Sequence, residues 1–197
     1  MTTWSEITPR FDVQWAIYKA GGRKVKWVFF WSHKTKTDHP TEAAFSQWYP
    51  AGFSHRGIRY ATAEHWMMAA KARVFGDKRA EDEILGTTDP GKAMAMGRQV
   101  KGFDSTIWDR VAYGIVLQGT MLKFSKNKDL GTYLANTAPR ILVEASPQDT
   151  VWGYGLRKDD PDATNAAKWP GRNLLGFALM EARDRFAKDD WPDFEGA

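Results

Sequence analysis

Glu64 and Lys71 stand seven positions apart in the run Thr62-Ala-Glu-His-Trp-Met-Met-Ala-Ala-Lys71, an acid and an amine whose spacing could serve one reaction. At about 100° per residue, Glu64, Met68 and Lys71 fall on one stripe of a helix, with Glu64 and Lys71 two turns and roughly 10 Å apart along its axis. That is too far for a tight i,i+4 ion pair, yet both groups can converge on one bound molecule. The stripe also carries Met67 and Met68 and lies beside Trp66, so it should face the interior, where unpaired charges cost about several kcal/mol each. Two readings follow. Glu64 pairs with an arginine elsewhere while Lys71 snorkels to solvent, or the two groups act together on a bound molecule.

Other chemistries are absent. The chain has no cysteine, which excludes disulfides, thiolate nucleophiles, iron–sulfur clusters and cysteine-based zinc sites. His33, His39, His55 and His65 form no H-E-x-x-H pattern, so no metal is expected. There is no G-x-x-x-x-G-K-[ST] loop, and Gly153-Tyr-Gly155 lacks the third glycine of a dinucleotide fingerprint, so no nucleotide cofactor is implied. G-x-S-x-G is also missing. No stretch nears the roughly 20 apolar residues of a membrane helix, and Met1 to Arg10 lacks the basic and apolar regions of a signal peptide. The expectation is a cytoplasmic protein without membrane contact.

The elements that must position the pair follow from pattern and punctuation. With 197 residues, 43% hydrophobic and 26% charged, the chain suits one compact domain. Its 10 Trp, 6 Tyr and 11 Phe exceed what such a core would hide, so some rings should line a pocket or groove. Val25–Trp31, after the Gly21-Gly22 turn signal, reads as a strand, and Gly57–Tyr60 as a second short one. Thr62 caps a helix running to about Phe75, Asp77 one ending near Gly86, and Asp89-Pro90 one running to about Val100. Ile107, Trp108, Val111, Ala112, Ile115 and Val116 mark a longer helix ending near Lys126, and Leu130–Leu134 a shorter one. Ile141–Glu144 is a strand, and Asn173 caps a final helix. The fold expected is mainly α, a compact single domain with a few short β-strands, its core at about residues 25–188 between an extension at 1–24 and a tail at 189–197.

The formal charge is +4, but its distribution says more. Lys19, Arg23, Lys24, Lys26, Lys34 and Lys36 fall between Asp12 and Asp38 with no acid among them. Such a segment suits a phosphate-bearing partner or is a solvated basic edge.

Ordered motifs along the chain resemble the YbiA-like, or NADAR, family of small N-glycosidases. They are Phe30-Trp31-Ser32, Phe45-Ser46 with Trp48-Tyr-Pro50, Thr62 with Glu64-His65 and Lys71, Pro90-x-x-Ala93, Gly97-Arg98, Trp108 and Lys123-Phe124. Thr137-Ala-Pro139, Leu142-Val-Glu144, Asp149-x-x-Trp152-Gly153, Asn173-x-Leu175-Gly176 and Leu179-Met180-Glu181 complete the series. Gln47 stands where many members carry Asn, Tyr154 where an acid is common, and Lys158–Lys168 reads as an insert. The resemblance implies a mainly α-helical fold and cleavage of an N-glycosidic bond at ribose C1. It implies as substrate either ADP-ribose on guanine in nucleic acid or a phosphorylated early riboflavin intermediate, with no cofactor. A functional pairing with an ADP-ribosyltransferase toxin belongs to the first of these.

Such a reaction builds positive oxocarbenium character on the sugar, which carboxylates stabilise. Glu64 is the first candidate acid/base and Asp149 the second. Lys71 offers a covalent route through attack on C1 of the ring-opened sugar, which needs a pKa lowered by desolvation or a neighbouring cation. For binding, Trp31, Trp108 and Trp152 suit stacking on a base or fill the core, and Phe30 and Gly153 flank two of them. Arg98 grips a phosphate or answers a helix dipole. Asn173 contacts ribose hydroxyls or caps its helix. The leading expectation is release of ADP-ribose from guanine in DNA or RNA. The alternatives are metabolite repair on riboflavin precursors and a non-catalytic reader of ADP-ribose or nucleic acid.

Overall fold

Local caps set most element boundaries in the computed structural model, which describes Trp4, residues 6–21 and residues 24–188. Gly22, Arg23 and the 189–197 tail lie outside the described residues. In chain order the elements are α1 (Val13–Ala20), β1 (Trp27–Phe30), β2 (Phe53–His55), β3 (Ile58–Tyr60), α2 (Ala63–Val74), α3 (Lys78–Leu85), α4 (Pro90–Gly97) and α5 (Ser105–Lys126). The series continues with α6 (Lys128–Ala135), β4 (Ile141–Glu144) and α7 (Leu174–Phe186). Single 3₁₀ turns cover Glu42–Phe45 and Ala166–Lys168. The mainly α architecture with a few short strands is as expected. No helix among the described residues is long and apolar enough to cross a membrane.

Internal contacts gather into two compact units, one built on Gln47–Lys128 and the other joining Pro9–Ser46 to the chain from Asp129 through α7. In the first, β2 and β3 form a hairpin with Phe53 opposite Tyr60 and His55 opposite Ile58. Its two-residue turn uses Arg56 and Gly57 at φ 46° and 78°, the double positive φ that matches strand twist. Only the second strand of this hairpin is legible in the sequence, because Phe53–His55 directly follows the breakers Pro50 and Gly52 at the end of an irregular stretch. Thr62 accepts from His65 N at 3.4 Å to start α2, Asp77 from Ala80 N at 3.1 Å to start α3, and Asp89 from Gly91 N at 2.8 Å to start α4. Helix α4 stops at Gly97, one turn before the expected Val100.

α2 packs against α3, α4 and α5, so its burial extends around most of its circumference. Trp66 is the pivot: it is fully buried, its Nε1–H donates to Ile115 O of α5 at 2.8 Å, and Tyr60 meets its ring edge-on. Gly119 makes room for it, since a Cβ there would stand 2.4 Å from Trp66 Cδ1. Two turns along the same side of α2, Arg73 Nε bonds Glu81 Oε1 of α3 at 2.7 Å and Arg73 Nη2 donates to Tyr60 Oη at 2.9 Å. These contacts tie α2 to α5, α3 and β3.

In the second unit, β1 pairs in parallel with β4 from Trp27–Ile141 to Phe30–Glu144. The strand is shorter than the Val25–Trp31 reading because β4 offers four partners, and Trp31 lies beyond its end. α7 packs on β4 so closely that a Cβ at Gly176 would meet Leu142 O at 2.2 Å. Asn173 stands at the N-cap position of α7, and its carbonyl accepts from Phe177 N at 3.1 Å, but its side chain makes no capping bond. It sits at φ 53°, and its side chain turns to the strand, where Oδ1 accepts from Glu144 N at 2.9 Å and Nδ2 donates to Leu142 O at 3.0 Å. α1, unread in the sequence, starts at Asp12, whose Oδ1 accepts from Trp15 N at 2.7 Å.

Candidate active site

In the 47–128 unit the Glu64–Lys71 stripe lies on α2, with α4 and α5 packed against that helix. Because Thr62 begins α2, Glu64 occupies the first turn, where the positive end of the helix favours a carboxylate. Its main-chain N–H donates to Gln47 O at 3.1 Å, and Glu64 is 7% exposed. One turn further, Met68 is buried beside Gly97, where a Cβ would stand 2.0 Å from its sulfur. This close approach sets the C-terminal end of α4, and Arg98 with it, against the stripe.

Lys71 follows. Its Nζ lies 4.1 Å from the Phe103 ring centroid and 5.6 Å from that of Trp108, so the half-buried amine rests on aromatic faces. Burial, reinforced by the Arg98 charge, lowers its pKa below the ordinary lysine value. Either desolvation or a neighbouring cation favours the neutral amine, and Lys71 has both. The unit therefore groups Lys71, Arg98 and Trp108, with Glu64 two turns along the same helix. Arg98 is also the residue that ends α4, so its dipole role and an anion-binding role are both compatible with its place.

Sequence reasoning passes over Lys123 as a site residue. It is 1% exposed on α5, with Nζ 5.6 Å from the Tyr49 ring centroid and 5.2 Å from that of Phe124, and burial pulls its pKa down to about 7. The available signal was its setting in Met121-Leu-Lys-Phe124, a charge inside an apolar run. His65 is likewise buried, bonded through Nδ1 to Thr62 Oγ1 at 2.8 Å, and burial lowers its pKa. Among the described residues, no three His, Asp or Glu side chains group as metal ligands do.

The remaining expected residues belong to the second unit. Phe30 is buried against Phe45, while Trp31 is 55% exposed. Both line a cavity of about 400 Å³ together with Lys34, Glu42, Arg157 and, from the insert, Lys158 and Asp159. Asp149 organises its own turn: Oδ1 accepts from Val151 N and Trp152 N, each at 2.8 Å. Gly153 follows because a Cβ would stand 2.8 Å from Asp149 O. Trp152 is half-buried. Asn173 is fully buried, with both side-chain polar atoms bonded to the backbone of β4.

The NADAR domain model matches residues 29–187, four-fifths of the chain and every expected site residue. The chain belongs to the NADAR domain family. Among its relatives, N-glycosidase R617 of Acanthamoeba polyphaga mimivirus is 40% identical over 164 residues, covering 81% of this chain and 95% of that protein. N-glycosidase YbiA of Escherichia coli (strain K12) is 28% identical over 155 residues, covering 79% and 86%. The NMR structure of E. coli YbiA superposes with a TM-score of 0.68 at 26% identity, over 85% of this chain and 88% of that one. The NADAR domain begins after α1, so α1 and the basic residues up to Lys26 lie outside it.

Proposed function

We propose that this NADAR protein hydrolyses a ribosyl N-glycosidic bond and that its substrate is ADP-ribose carried on guanine in DNA or RNA, with Lys71 as nucleophile and Glu64 as acid/base. The observation that supports the reading most is the setting of Lys71: an amine on two aromatic faces whose charged form burial and Arg98 both disfavour. A lysine becomes nucleophilic when its neutral form is populated.

In the ring-opened sugar, C1 is doubly bonded to the protonated base nitrogen as an iminium. The Lys71 Nζ lone pair adds to C1, and the π electrons pass to that nitrogen, which becomes a neutral amine. Glu64 takes one proton from the Nζ ammonium so formed and delivers it to the base nitrogen, which then carries the positive charge. The C1–N bond breaks with its electron pair leaving on the neutral base, and a protonated C1=Nζ imine remains. Water adds to C1, Lys71 departs as the amine, and the sugar recovers its aldehyde and recloses. Trp108 flanks the amine, and Arg98 supplies positive charge for a pyrophosphate.

Asp149 stays the second carboxylate candidate, with its turn hydrogen bonds fixing the Trp152-Gly153 segment. The cavity beside Trp31 favours one further substrate reading, a small phosphorylated ribosyl amine such as a riboflavin precursor, because it combines an exposed ring with lysines. Offering both substrates separates the two. An oligonucleotide bearing ADP-ribosyl guanine should regain the mass of the unmodified base with the native enzyme and not with Lys71→Ala. Release of amine from the riboflavin precursor alone would replace the nucleic-acid reading.

A further inference from the structure

α1 and the residues leading into β1 precede the NADAR domain, so the glycosidase chemistry gives them no role. They build a groove nonetheless. In the second unit α1 packs on the Ala166–Lys168 turn, with Phe11 buried and its ring tilted at 57° against that of Trp15, 4.6 Å between centroids. Across from α1 lie the Pro139 turn, Arg140 and the end of α7, leaving an open groove of about 530 Å³. Its wall carries five cations, Lys19, Lys24, Lys26, Arg140 and Arg183, against one carboxylate, Asp184.

That carboxylate is already answered. Asp184 pairs with Arg183 Nε at 3.3 Å and with Arg10 Nη1 at 3.7 Å. Arg183 is itself buried and spends Nη1 on Thr137 Oγ1 and Arg140 O, so it forms the floor. Arg140 is anchored through Thr137 O and Asn136 O at the rim. Among the described residues no carboxylate pairs with Lys19, Lys24 or Lys26. Lys24 and Lys26 are exposed, and Lys26 is fixed at its backbone, where its carbonyl accepts from Ile141 N at 3.0 Å. Lys19 lies 5.7 Å from the Trp15 ring centroid, so the groove also offers a half-buried aromatic face. A row of lysines with no carboxylate partner among the described residues, set beside a ring, fits a sugar-phosphate chain, whose phosphates need cations and whose bases stack on any aromatic face.

We propose that this groove, one wall of which is built by the segment that precedes the NADAR domain, holds a single strand of nucleic acid through its phosphates, with Lys19, Lys24 and Lys26 as the contacts and Trp15 as a stacking surface. It rests on the reading that the substrate base belongs to a polymer, and adds contacts from residues that precede the NADAR domain. Free ADP-ribosylated mononucleotide would not need the groove.

The test uses the full chain and an unmodified fluorescent 20-nucleotide strand. Anisotropy titrations from 50 to 200 mM salt compare the native protein with Lys24→Ala/Lys26→Ala, whose sites lie outside every helix and strand, and with the triple variant that adds Lys19→Ala. The triple variant should bind at least 10-fold more weakly at 50 mM salt, and its log–log salt slope should be shallower by about 2, as loss of three single-strand phosphate contacts requires. Turnover of ADP-ribosylated mononucleotide should be unchanged in both variants. Equal binding by native and variant proteins would overturn the proposal, as would no binding by the native protein. Lysine-dependent binding to phosphatidylserine vesicles in place of the strand would also overturn it, assigning the groove to a lipid surface. Strand binding lost with the lysines, alongside absent mononucleotide turnover, would keep the groove and sink the ADP-ribosyl-guanine reading.

Discussion

Gly119→Ala should loosen the helix pair that carries the candidate site. The added Cβ would stand 2.4 Å from Trp66 Cδ1, 2.9 Å from Nε1 and 3.0 Å from Cγ. Ordinary carbon contacts begin near 3.5 Å, so α5 must retreat or the indole must turn by about 1 Å. The indole has little freedom, being fully buried, met by Tyr60 and bonded to Ile115 O. Overpacking of this kind costs about 1–3 kcal/mol. Weakening the buried Nε1 bond adds about 1–3 kcal/mol, and replacing a helical glycine by alanine returns roughly 1 kcal/mol. The net expectation is about 1–5 kcal/mol of lost stability, a large share of what a domain possesses. Urea denaturation followed by tryptophan fluorescence measures it through the midpoint at unchanged slope. A smaller ring should relieve the clash, so in the double variant with Trp66→Phe the penalty of Gly119→Ala should shrink. A Gly119→Ala protein as stable as the native one would refute the packing described for α2 on α5.

Three further expectations follow from individual side chains. Glu64→Gln should lower turnover of the ADP-ribosylated strand by about 10²–10⁴ while leaving strand binding intact, since it removes proton transfer and keeps the side chain's size. Loss of affinity with turnover untouched would favour a reader over an enzyme. Asn173→Gly keeps the φ of 53° accessible but strands the Glu144 N–H and the Leu142 carbonyl, so it should cost about 2–5 kcal/mol in denaturation midpoints, beyond any backbone effect. For Lys123, the folded-state pKa of about 7 lies below that of an unfolded lysine, so the unfolded chain binds the extra proton between those values. This group's contribution therefore improves as pH rises from about 7 toward 10, and the stability of Lys123→Met relative to native should fall across that window. A constant difference between pH 6.5 and pH 9.5 would contradict the buried amine.

The helices around the site were legible because their starts are written in side chains. Thr62, Asp77 and Asp89 each accept from their own first turn, and those bonds depend on neighbours two or three residues away. Asp12 with Val13, Ala16 and Ile17 offered the same signal for α1, but the eight-residue helix lies in a stretch read as an extension. β1 was overextended because its length is set by β4, more than a hundred residues on. Asn173 illustrates a different limit: a helix-start asparagine looks like a cap, and only the close seat of α7 on β4 turns its side chain to the strand. Lys71 was legible as an amine on an apolar face, whereas its lowered pKa depends on Phe103, Trp108 and Arg98 gathering from other segments. Lys123 escaped because α5 is buried nearly all round, and helical periodicity identifies one buried face, not enclosure.

In the proposed reaction Lys71 becomes bonded to the sugar. The direct measurement is borohydride reduction during turnover of an oligonucleotide carrying ADP-ribosyl guanine, followed by peptide mass mapping. The expected result is a reduced ADP-ribosyl adduct on the peptide containing Lys71, absent from Lys71→Ala. A native enzyme that turns over without any adduct, or an adduct of equal yield in Lys71→Ala, would contradict it.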